Sequence, residues 1–147
     1  MPEKFVVDAN VVISSLIIKG IPSSVFSLNA ILNKFEFIAP EFLLEEVKKH
    51  KLKALRFTKL SGQEFEDAYK FLIDEITFIP AGEFLQFLPE AKQLAPHDKD
   101  VPYIALSLAF NCPIFSGDKG LKKALPDKVI APSEALDILS GKTDLTK

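Results

Sequence analysis

Apolar residues along this chain fall into two kinds of run that alternate. Short unbroken ones, rich in Phe, Val and Ile, lie at Lys4 to Val7, Phe35 to Ala39, Ile76 to Ile79, Pro113 to Phe115 and Val129 to Ile130. Each is bounded by a polar residue or a proline, the signature of a buried parallel strand. Longer stretches between them space their apolar residues at helical intervals. VVISSLII follows the turn Asp8-Ala9-Asn10 and reads as a helix closed by Gly20 and Pro22; a second, capped by Ser23 or Ser24, runs through Val25, Phe26, Leu28, Ile31 and Leu32.

EFLLEEVKKHKLKAL reads as a helix with a basic second half, and Ser61-Gly62-Gln63-Glu64 as a capping box opening a helix to about Ile73. Glu83 to His97 reads as one or two short helices in a surface connection. VPYIALSLAF is a helix with Pro102 in its first turn and Asp98 as the natural N-cap. A short Lys-rich helix follows Asp118, and a last one starts near Pro132-Ser133. This alternation predicts a single α/β/α sandwich over 1–140 with a mainly parallel central sheet of about four to five strands, and a frayed tail over 141–147.

Composition narrows the class. With 147 residues, 48% hydrophobic and 13 Phe, the chain can bury a core without staples, and its single Cys112 excludes an internal disulfide framework. The thiol reads as buried, and a reducing, cytoplasmic setting is expected. No apolar run reaches the ~20 residues that span a bilayer. A formal net charge of -2 excludes a generally basic nucleic-acid binder but not a local basic patch.

Chemistry enters with the acids. Asp8 and Asp118 each follow a predicted strand, so a parallel sheet places both on its carboxyl edge, where α/β ligand sites lie. Either alone is explained as a turn or cap residue; the pair is not so easily dismissed. In the third helix, at ~100° per residue, Glu46 sits roughly 85° from the centre of the apolar face while Glu45 lies nearly opposite it. Asp100 borders the apolar face of its helix by the same geometry. Carboxylates gathered at one point require a cation, and oxygen donors without a His or Cys cluster select Mg²⁺ or Mn²⁺. Asn10 and Ser116 are placed to orient a carboxylate or water.

DANVVISSL, PEFLLEEV, HDKDVPYIALSLAF and IFSGDKGLK, in this order and element context, resemble the PIN-domain nucleases, in particular the VapC-like ribonucleases. The resemblance implies that Asp8, Glu46, Asp100 and Asp118 are the acidic positions, with Asp98 auxiliary and Asn10 and Ser116 supporting. It implies metal-dependent cleavage of single-stranded RNA, and for many members the toxin half of a toxin–antitoxin pair with a small antitoxin partner.

Lys48 and Lys49 on one side, with Lys119 and Lys122 on the other, are the expected phosphate-backbone contacts. Phe84, Leu85, Phe87 and Leu88 could stack bases or dock a partner or second copy as a homodimer, and core packing explains them more simply. Two rivals remain. A phosphotransfer domain lacks a Thr/Ser and Lys pattern in a convincing context here, and a non-catalytic RNA- or partner-binding module would be marked by loss of an acid.

Overall fold

The computed structural model describes residues 3–142, so the tail expected to fray lies, from 143 on, outside the described residues. Five strands, β1 (Glu3–Val7), β2 (Phe35–Pro40), β3 (Ile76–Ile79), β4 (Ile114–Phe115) and β5 (Val129–Ile130), form one sheet in the order β3-β2-β1-β4-β5. Every pairing is parallel, with Phe5 beside Phe37, Val6 beside both Ile38 and Ile114, and Val7 beside Phe115. The chain starts in the middle, builds to one side through β3, then returns to β1's other edge. That reversal between β1 and β4 is the switch point at which open α/β sheets hold ligands.

Among the described residues, eight α-helices link and flank the strands: α1 (Ala9–Ile17), α2 (Ile21–Leu32), α3 (Phe42–Phe57), α4 (Gly62–Asp74), α5 (Leu88–Leu94), α6 (Val101–Phe110), α7 (Lys119–Ala124) and α8 (Pro132–Leu139). Short 3-10 turns at Ala81–Glu83, Leu85–Phe87 and Asp98–Asp100 punctuate the connection to α6. Helix contacts divide into two sets, α1 with α2, α3 and α4 and α2 with α8, against α5 with α6, as right-handed crossovers of opposite direction require.

Alternation along the strands explains the core. Phe37 and Phe115 meet Phe26 of α2, with Phe26–Phe37 centroids 5.0 Å apart, and Phe35 links Phe37 to Phe5, on which it stacks at 4.2 Å. Asn29 fixes α2 to the sheet: its amide donates to Phe35 O at 3.0 Å while its carbonyl accepts from Phe35 N at 2.8 Å. Phe84 is buried in the same core, whereas Leu85 is exposed, so the Phe-rich connection mainly packs inward.

Two local readings need correction. Pro22 opens α2 instead of closing α1, because Gly20 takes the N-cap and Ser24 N donates to Gly20 O; neither Ser23 nor Ser24 caps the helix. Asp98 is not the cap of α6, since it is the first residue of a 3-10 turn preceded by His97, and the N-cap position of α6 falls on Asp100. The Ser61 and Glu64 capping box on α4 is present with both its hydrogen bonds. Among the described residues, no single helix is long and apolar enough to cross a membrane.

Candidate metal centre

Asp8 occupies the N-cap position of α1 yet makes no capping hydrogen bond. Its carboxylate instead accepts from Ser116 Oγ at 2.7 Å, and Ser116 Oγ accepts from Asp118 N at 3.0 Å. Asn10 adds a second strap by accepting from Gly117 N at 3.2 Å. The loops after β1 and β4, adjacent strands more than a hundred residues apart in sequence, are thus joined by the polar residues that open α1 and α7.

Asp8, Glu46, Asp100 and Asp118 line one cleft of about 80 Å³, with Asn10, His50, Lys99 and Tyr103 beside them. Glu46 is held there by the Tyr103 hydroxyl, which donates to its Oε1, while Glu45 is exposed. Tyr103 is buried, with its ring against Phe42, so the phenol orients Glu46 from a fixed position. Burial and the Glu46 carboxylate push its own ionisation well above the usual range for a phenol, keeping it a donor.

The acids differ in what satisfies them. Asp118 caps α7, its Oδ1 accepting from Gly120 N and Leu121 N at 2.8 and 3.1 Å; a Cβ at Gly120 would press on that oxygen at 3.2 Å. Asp100 is 2% exposed, and its Oδ2 has no hydrogen-bond partner. A buried carboxylate oxygen left unpaired is costly, and its pKa is raised first by burial and next by Asp118. Burial pushes the Asp8 carboxyl from 3.8 up to about 6; the Ser116 hydrogen bond opposes this, and Asp100, Glu46 and Asp118 add to it.

Among the described residues, no group of three or more His, Cys, Asp or Glu side chains could hold a metal ion as placed. The acids share a cleft without sharing a point, which corrects the expectation of a single focus. The reason is visible in the bonds: Asp118 turns to its helix, Asp8 to Ser116 and Glu46 to Tyr103. The donor set still fits a hard cation. Asp100 Oδ2 is a buried oxygen with no partner, and Asp8 is raised by burial with the carboxylates of Asp100, Glu46 and Asp118 adding to it.

Other expected residues lie elsewhere. Asp98 is exposed and absent from the cleft lining, as are Lys48, Lys49 and Lys119. Lys122 is engaged by the fold, donating to Val129 O at 2.7 Å and Glu134 Oε1 at 2.9 Å, and it too is absent from the cleft lining. Burial pushes the Cys112 thiol up to about 11, so it stays protonated and unreactive.

Sequence reading missed His50, Lys99 and Tyr103. His50 was legible, because it stands one turn after Glu46 on the same helix face. Lys99 and Tyr103 carried no signal beyond proximity to Asp100.

Against known proteins, a family model described as PIN domain matches residues 6–125, from β1 through the Asp118 loop and α7. No curated protein matches the chain.

Proposed function

The chain belongs to the PIN-domain family, whose members are in general nucleases that use divalent metal ions, and from that premise we propose that it is a Mg²⁺- or Mn²⁺-dependent endoribonuclease acting on single-stranded RNA. The observation that carries this reading is the unpartnered, buried Asp100 Oδ2 in a cleft it shares with Asp8. A binding module has no reason to bury an unpaired carboxylate beside three more.

Asp8, Glu46, Asp100 and Asp118 would hold the cation. Bound there, it would supply an activated water and offset charge developing on the phosphodiester. The chain's own residues do the rest. Ser116 aims Asp8, and Tyr103 keeps Glu46 turned inward. Asn10, its carbonyl occupied by Gly117 N, keeps its amide NH₂ for a phosphate oxygen. Lys99 puts a cation at the cleft to meet an incoming anion.

Asp8→Asn removes Mn²⁺-dependent cleavage of a labelled single-stranded RNA while the circular dichroism spectrum stays native; undiminished cleavage sinks the mechanism. Glu46→Gln is dead and Glu45→Gln active, and the reverse result reassigns the helical acid. The common role of such proteins, the toxin of a toxin–antitoxin pair, comes with the resemblance: induced expression arrests growth only when Asp8 is intact.

The absence of a ready-made cage among the described residues favours a second reading, a catalytically inactive RNA- or partner-binding module. Calorimetry decides between them. Mn²⁺ binding at millimolar metal, lost in Asp100→Asn, supports the enzyme; no detectable heat supports the module.

A further inference from the structure

A second cavity of about 330 Å³ adjoins the acidic cleft, and Asn10, Ile13 and His50 line both. It runs between α1 and α3. One wall is the α1 face of Ile13 and Ile17; the other is a stripe of α3 in which His50, Lys53 and Phe57 continue the line that Glu46 begins. Residues at these intervals lie within roughly 60° of one another around a helix, so the stripe is continuous. Its far end is tied shut, since Thr58 Oγ1 donates to Leu16 O at 2.6 Å and Lys59 N to Ile17 O at 2.7 Å. The walls are therefore held apart at a fixed spacing before anything binds.

The chemistry along this trough changes in order: carboxylates at the cleft, then an imidazole and an ammonium, then an aromatic ring that is 54% exposed. The exposed Phe57 ring thus shares the lining of one cavity with Lys53. A cation with a stacking face beyond it is what successive phosphate and base of a single strand require. The volume is at the small end of the ~300–1,000 Å³ typical of small-ligand sites, which suits one nucleotide better than a helix.

The geometry points to the α1–α3 trough as the site that holds the nucleotide flanking the cleaved bond, its phosphate at His50 and Lys53 and its base against Phe57. This rests on the ribonuclease reading for the meaning of "cleaved", though not for binding itself. It also moves substrate contact from Lys48 and Lys49, which line neither cavity, to their neighbours on the inward stripe.

The test measures affinity for a fluorescent 12-nucleotide unstructured RNA by anisotropy, in an Asp8→Asn background so that the strand survives. Phe57→Ala weakens binding roughly tenfold. Lys53→Ala lowers the slope of log affinity against log salt by about 0.7, the loss of one phosphate contact. With Asp8 restored, both variants cleave the 12-mer poorly through a raised KM. Unchanged affinity and slope in both variants overturn the proposal and leave the trough to a protein partner. If the parent cleaves nothing while the variants lose affinity, the trough stands and the nuclease reading falls.

Discussion

Asp8 is where the two demands on this molecule conflict. Its carboxyl is raised to about 6 when folded against 3.8 otherwise, so the folded chain binds that proton more tightly than the unfolded one. The contribution of Asp8 to stability is therefore greatest below about pH 4, falls as pH rises toward 6, and stays lowered above it. The loss at pH 7.5 is about 2–3 kcal/mol from this group alone. In EDTA the chain should melt higher at pH 5 than at pH 7.5, and Asp8→Asn, which keeps an acceptor for Ser116, should melt higher than wild type at pH 7.5 while losing activity. Equal melting temperatures for the two proteins at pH 7.5 contradict the assignment. The same physics made the residue hard to judge from sequence, where a cap was the ordinary explanation: only the bond to Ser116 shows the side chain turned away from its helix.

Elements were legible where local chemistry dictates them. Ser61 and Glu64 cap α4 as their spacing requires, and Ser61→Ala should cost about 1 kcal/mol in denaturant melts. Glu64, lowered to about 2 chiefly by its hydrogen bond to Lys19, is ionised in folded and unfolded chains above about pH 4.5. Its contribution is whole there and disappears as pH falls toward 2. Elements were misread where the cap falls a few residues from the expected one: Gly20 displaced Ser23 as the cap of α2, and Asp100 displaced Asp98 as that of α6. Asn29 is the opposite case, a helix residue whose importance no periodicity reveals. Asn29→Ala orphans a buried N–H and C=O of Phe35 and should cost about 2–3 kcal/mol, read from the urea midpoint. A loss no greater than that of Ser61→Ala would mean water replaces the amide.

For the whole molecule, strand content could be read from the chain but strand order could not. Sequence placed Asp8 and Asp118 on the carboxyl edge; that β4 lies against β1, which makes them neighbours, depends on the chain doubling back after β3. A cation that binds the folded cleft adds stability by mass action, about 2.7 kcal/mol at a hundredfold excess over its Kd. For a chain of this size that is a rise in Tm of roughly 5–10 °C at pH 7.5, absent in Asp100→Asn. A flat melting temperature across a Mn²⁺ titration would exclude a metal site here.

The hydrogen bond from Ser116 to Asp8 spans 108 residues of chain. A nascent chain that has left the ribosome only as far as α6 already has β1, Asp8 and Glu46, but neither the strand nor the hydroxyl that aims Asp8, nor Asp118. On the ribonuclease reading proposed above, synthesis itself would act as a safety catch: the nascent chain would stay unable to cut until β4 and the Asp118 loop have emerged and folded against β1.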